Sequence, residues 1–249
     1  MSLFNDKLKN ISLKELLPLI IILFVIQYLF NSLNIVHIDT VWIYVFVIFF
    51  FVFKLKYEIP TLKGDVKELF SPKVIKTILM VVILNIFFSY GMLYFSEFVL
   101  NIVSKGNLFN SFLTTGLLAT ILVSPISEEL IFRGVFLNRL KLIVPTTFAV
   151  LISSLLFASL HGFGSIFAAF IFGICVAVLY LKTENILVPI AAHFLNNLFA
   201  EIILVCDSNK ILFTNASVIS VMSILAVVSF AILLVYFIRQ LKVLNNDKL

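Results

Sequence analysis

Long apolar stretches, broken only by short polar segments, decide what this chain can fold into. They run over about 17–33, 41–55, 76–100, 111–127, 143–160, 163–181, 186–205 and 216–238. A membrane-spanning helix takes about 20 consecutive apolar residues. In hydrocarbon every backbone polar group must be paired within the chain, so only helices and closed barrels span. These stretches show no alternation of period two, which excludes barrel strands. With 62% hydrophobic and 12% charged residues, the chain also departs from soluble domains, which are about half apolar and a quarter charged. The expectation is an all-α membrane protein, a bundle of about eight transmembrane helices forming a single polytopic domain over 1–249.

The basic residues test this parse independently. Of 18 Lys and Arg residues, only Lys105 and Lys210 fall in segments on one side of the bundle. All the others, including the cluster Lys54, Lys56, Lys63, Lys67, Lys73 and Lys76, fall on the opposite side. The positive-inside rule then predicts a multi-pass protein of the cell membrane with both termini in the cytoplasm. The net charge of +5 is accounted for by these loops and anionic lipid, and requires no nucleic acid. The insertion at 54–75, with Pro60 and Gly64, reads as a cytoplasmic loop or short interfacial helix. No small-x-small cleavage pattern follows the first apolar run, so that run is expected to stay as an anchor. Cys175 and Cys206 lack zinc-type spacing and suggest no disulfide framework.

Ionisable residues inside spans are costly, rare and usually functional. Three groups pass this filter. The first is Pro125-Ile-Ser-Glu128-Glu129-Leu-Ile-Phe-Arg133-Gly134. Glu129 and Arg133 are one helical turn apart and can pair. Glu128 points about 100° away, with no partner expected on its own helix. The bland reading is a solvated membrane boundary. The second is Phe157-Ala-Ser-Leu-His161-Gly162, where Gly162 and Gly164 suggest a tight turn and His161 alone would be a polar cap. The third is His193 with Asn197, a turn apart on one face, a stripe continued by Glu201; its bland reading is interhelical hydrogen bonding. His37, in an external loop, receives no role.

A carboxylate beside an imidazole can activate water as a general base. A second imidazole and a carboxamide can donate to a tetrahedral oxyanion. Alternatively Glu128, His161 and His193 could hold zinc with an open water position. No serine or cysteine stands at a recognisable spacing from a base, which disfavours a covalent nucleophile.

In this order the motifs resemble those of the CPBP family, the CAAX-protease and bacteriocin-processing membrane proteins. Glu128-Glu129-x-x-x-Arg133, Phe157-x-x-x-His161 and His193-x-x-x-Asn197 match its three core patterns. Pro125, Gly134 and Gly162 match its flanks, and Gly173, Tyr180 and Thr183 resemble a weaker intermediate motif. The similarity covers 112–200. It implies an eight-helix intramembrane protease in which Glu128 and His161 activate water and His193 with Asn197 stabilises the oxyanion. Glu129 and Arg133 would orient the site. No metal or other cofactor is expected, although zinc through Glu128, His161 and His193 stays open.

The expected substrate is a membrane-associated peptide or protein: a prenylated C-terminus, a pheromone, a leader peptide or a membrane regulator. High Phe, Ile, Lys and Asn usage suggests an AT-rich bacterial genome, favouring peptide maturation, quorum sensing or bacteriocin immunity. The alternative is a non-catalytic regulator or immunity protein that binds a partner. A proton-linked transporter would need internal repeats, and none is present. One conflict arises within the reading. Straight helices place Glu128 near the inner end of the fourth span and His161 at the outer end of the fifth. For the two to meet, the fourth helix must continue to about Leu140, or His161 must lie mid-membrane on a helix continuing through Gly162–Gly164.

Overall fold

A computed structural model describes residues 2–95, 116–161, 166–207 and 211–246, and among them there is helix and turn but no strand. A short α1 (Leu3–Lys9) leads into α2 (Leu13–Ser32) and α3 (Val41–Leu55). A 3₁₀ turn and the interfacial α4 (Lys63–Leu69) precede α5 (Pro72–Tyr94). The next helix, α6, runs unbroken over 117–140. Then follow α7 (Thr146–Ala158), α8 (Ile166–Thr183), α9 (Leu187–Cys206), the single turn α10 (Ile211–Thr214) and α11 (Ala216–Asn246). By length and composition α2, α5, α8, α9 and α11 can each cross a membrane, and α3 and α7 are shorter apolar helices. The protein is an all-α, multi-pass membrane protein. The expected turn at Gly162–Gly164 and the stretch 96–115 lie outside the described residues.

The surface chemistry follows from lipid as solvent. On α2 only Leu16 is buried, while Ile21, Phe24, Val25 and Tyr28 are exposed; a helix apolar all round fits hydrocarbon. The centre of the bundle is α8, which packs on α5, α7, α9 and α11. Its small residues Ala168, Ala169, Gly173 and Ala177 are buried there, as close helix approach requires when apolar packing alone holds helices together. A three-residue link containing Glu184 in the left-handed region (φ 50°) turns α8 back into α9.

Helices α5 and α11 cross closely at Gly91. A Cβ added to Gly91 would lie 2.5 Å from Ala226 Cβ. Gly91→Val therefore forces the pair apart and is expected to cost about 1–3 kcal/mol, seen as a lower unfolding midpoint in detergent. An unchanged midpoint would show that the crossing yields without strain.

One end of the bundle is knitted by polar contacts. Asn5 Nδ2 donates to Asp65 Oδ2 at 2.6 Å, and Asn185 Nδ2 donates to the Asp65 carbonyl at 2.8 Å. Arg139 Nε donates to the Ile11 carbonyl at 3.1 Å. Ion pairs Lys7–Glu58, Lys9–Glu184 and Lys54–Glu15 lie at the same end. Three of the lysines assigned above to one side, Lys7, Lys9 and Lys54, thus meet at one end of the fold.

The fourth apolar stretch departs from expectation. Hydropathy ended it near 127, but α6 is helical to Leu140. Wide π-type turns at Ala119–Val123 and Leu130–Leu137 bracket an α-helical segment at Ser124–Glu129. Pro125 has no N–H to continue the α-helical ladder, and the winding changes just before it. Glu128 and Glu129 therefore sit mid-helix and buried. The solvated-boundary reading is overturned, because the charges at this point are compensated inside the bundle.

Candidate functional site

The π-wound part of α6 leaves carbonyls that neighbouring side chains satisfy. Ser153 Oγ donates to the Phe132 carbonyl at 3.0 Å. Asn138 Nδ2 donates to the carbonyls of Arg133 and Gly134, both at 2.9 Å, and to Tyr180 Oη at 3.0 Å. These contacts fix the rotation of α6, and with it the direction of its charged side chains. They also give Tyr180 a physical role.

The expected Glu129–Arg133 pair is present and wholly buried, both side chains at 0% exposure. Arg133 Nη1 donates to Glu129 Oε1 at 3.2 Å, and Arg133 Nε lies 3.2 Å from Oε2. Arg133 Nη2 donates to the Gly173 carbonyl at 3.0 Å, and the guanidinium stacks 4.4 Å from the Phe157 ring centroid. A Cβ on Gly173 would come within 3.3 Å of Arg133 Nη2 and 3.2 Å of Phe157 Cδ1. Gly173 is small because the guanidinium needs that space.

Glu129 makes a second contact that sequence spacing did not indicate. His193 Nδ1, from α9, lies 2.8 Å from Glu129 Oε1. The His193 ring is clamped edge-on between Phe157 and Phe172, with centroids at 5.5 and 5.3 Å. One turn on, Asn197 Nδ2 donates to the Thr120 carbonyl at 2.9 Å. An amide nitrogen carries two hydrogens, so one N–H of Asn197 remains available. His161 rests on Phe157, with ring centroids 4.8 Å apart, and its Nδ1 lies 3.1 Å from the Phe157 carbonyl. That leaves Nε2 as its outward nitrogen. His161 also lies within electrostatic range of Glu128, His193 and Arg133.

Glu128 was expected to lack a partner on its own helix; it has one. Ser124, a turn earlier, donates its hydroxyl to Glu128 Oε1. The Tyr44 hydroxyl reaches both Glu128 and Ser124 from α3. The other carboxylate oxygen, Glu128 Oε2, is buried and has no hydrogen-bond partner. Tyr44 and Ser124 were missed because the filter sought ionisable groups. The signal was available, since Tyr44 carries the only hydroxyl in the stretch 41–55.

Glu128, Glu129, Arg133, His161, His193 and Asn197 thus come from α6, the end of α7 and α9 to one buried region. The extension of α6 to Leu140 resolves the conflict over Glu128 and His161. Among the described residues, no three His, Cys, Asp or Glu side chains converge as a metal-ligand set.

Comparison with known proteins agrees on this region. Residues 110–199 match the family model described as type II CAAX prenyl endopeptidase Rce1-like. The "Putative membrane peptidase YdiL" of Bacillus subtilis (strain 168) is 38% identical over 82 residues, which are 32% of this chain and 34% of that protein. The match therefore spans about a third of the curated relative's length. No solved structure matches. The resemblance to the CPBP family is borne out over the segment that carries the three motifs.

Proposed function

We propose that this protein is an intramembrane endopeptidase that cleaves a membrane-associated peptide or protein by attack of an activated water. The observation that carries the reading is the buried, unpartnered Oε2 of Glu128, beside a histidine and opposite two further donors. A carboxylate oxygen kept free in a bundle interior is costly, and its use is to take a proton.

In this scheme Glu128 Oε2 removes a proton from water held between Glu128 and the outward Nε2 of His161. The resulting hydroxide attacks the scissile carbonyl. The oxyanion is met by the remaining N–H of Asn197 and by Nε2–H of His193, preorganised donors of the kind that stabilise acyl transition states. Since Nδ1 of His193 faces Glu129, both ring nitrogens carry protons in this step. Glu129 is the negative charge that faces that imidazolium, and Arg133, a second cation, holds Glu129 in place. Glu128 then returns its proton to the leaving amine. Ser124 holds Oε1 of Glu128, with the Tyr44 hydroxyl beside the same carboxylate, so that Oε2 faces the water. The lysine distribution supports a cell-membrane protein with both termini in the cytoplasm. The substrate class is a small hydrophobic peptide or a membrane regulator of a bacterial cell.

Co-expression with candidate peptides, read by mass spectrometry, tests the reading with wild type, Glu128→Ala and His193→Ala. Cleavage by wild type, and a stable but inactive Glu128→Ala protein, is expected. Full biological activity of Glu128→Ala would instead indicate a regulator or immunity protein that acts by binding.

Tyr44→Phe is expected to lower kcat about tenfold with KM unchanged, since a hydrogen bond to a charged group contributes about 1.5–3 kcal/mol. A change confined to KM would place Tyr44 in substrate binding instead. Glutamate-dependent chemistry without a required metal further predicts that strong chelators leave cleavage intact. Loss on chelation that zinc restores would assign Glu128, His161 and His193 to a metal.

A further inference from the structure

A cavity of about 530 Å³ lies beside the site, between α5, α9 and the start of α11. Its walls are apolar, formed by residues such as Ile83, Phe87, Leu204 and Phe213. Glu201 lines it too, at 6% exposure. Its Oε1 is buried without a hydrogen-bond partner. Among the described residues none that lines it is basic, and a second carboxylate, Asp207, stands in the same lining. Asp207 is already engaged in accepting the backbone N–H groups of Ile211 and Leu212, at 2.8 and 3.1 Å. Among the described residues Glu201 is therefore the carboxylate of this mainly apolar chamber that keeps an oxygen without a hydrogen-bond partner.

An unpaired carboxylate in a membrane helix is rare unless it serves a ligand or a pathway. Glu201 also continues the His193–Asn197 face by one more turn. Asn196 lines the cavity, and its Nδ2 lies 3.4 Å from Asn197 Oδ1, which sets the chamber wall against one donor of the site. His193 and Glu201 are eight residues apart, or about 12 Å along the helix. An extended peptide covers that in three or four residues.

We infer that this cavity is a substrate subsite that takes a basic side chain, lysine or arginine, flanked by apolar residues and three or four positions from the scissile bond. Its placement relative to the scissile bond rests on the proposed protease reading. The apolar walls cover the stem and neighbours of such a residue, and Glu201 pairs with its cationic end.

The test measures binding, so that it stands apart from cleavage. The full chain carrying Glu128→Ala is reconstituted in phosphatidylcholine nanodiscs. It is titrated with a fluorescent apolar decapeptide containing one central lysine, and with its norleucine counterpart. The lysine peptide is expected to bind about tenfold tighter, a difference of about 1.4 kcal/mol. Adding Glu201→Gln is expected to erase that preference while leaving the norleucine peptide's affinity unchanged. Equal binding of the two peptides to the protein with Glu201 intact would overturn the inference. So would a lysine preference that survives Glu201→Gln. Displacement of the lysine peptide by phosphatidylethanolamine, dependent on Glu201, would assign the cavity to a lipid amine and also overturn it. Failure of Glu128→Ala to stop cleavage would defeat the catalytic reading without touching this result.

Discussion

Glu128→Gln is expected to abolish cleavage while leaving the protein folded and inserted. The amide keeps a carbonyl oxygen that can accept from Ser124, the contact that holds Oε1. What it loses is the ability of the second oxygen to take a proton. General-base catalysis contributes about 10²–10⁴ in rate, so kcat is expected to fall by about that factor. The matched control is Glu129→Gln. That carboxylate takes hydrogen bonds from Arg133 and His193 on Oε1 and faces Arg133 Nε across an ion pair on Oε2, so its loss loosens the His193 ring and the ion pair and leaves the water-activating group intact. Single-turnover cleavage of a peptide, followed by mass spectrometry alongside unfolding midpoints, separates the two variants. Glu128→Gln should be stable and inactive, and Glu129→Gln less stable with residual activity. If Glu128→Gln cleaves within a few-fold of wild type, the proton passes elsewhere.

The spans were legible in the sequence because a helix in lipid has only its apolar length to satisfy. The stretch 41–55 coincides with α3 at both ends, since Thr40 and Lys54 bound an uninterrupted apolar run. The fourth span was misjudged for a related reason. A hydropathy window reads Glu128, Glu129 and Arg133 one at a time, as groups that belong in water. Inside the bundle Glu129 and Arg133 compensate each other, and α6 carries them through. The pairing of Glu129 with Arg133 was readable because it is set by helical spacing alone. The contact of Glu129 with His193 was not, because 64 residues and the packing of α8 separate them. Sequence therefore named residues that gather in one region but allotted Glu129 too little: it links the arginine of α6 to the histidine of α9. The roles of Gly173 and Tyr180 were invisible for the same reason. Each serves a partner on α6, through a carbonyl accepting from Arg133 and a hydroxyl accepting from Asn138.

Arg133→Met should produce the largest loss of stability. The methionine fills similar length against Phe157 but carries no charge. It leaves the wholly buried Glu129 carboxylate with His193 as its sole charged neighbour in contact, and it leaves the Gly173 carbonyl without its donor. Removing one member of a buried pair costs about 3–5 kcal/mol, because the remaining charge stays desolvated. A drop of that size is expected in detergent unfolding, together with loss of cleavage, since Glu129 would no longer hold His193 in place. The double variant Glu129→Gln/Arg133→Met removes the stranded charge as well and should recover part of the stability. It should not recover full activity, because the anchor of His193 is now an amide. This non-additivity distinguishes a coupled ion pair from two independent packing residues. If Arg133→Met and Glu129→Gln instead add, each carries its own contacts, and the Arg133–Glu129–His193 chain is not the unit that orients the site.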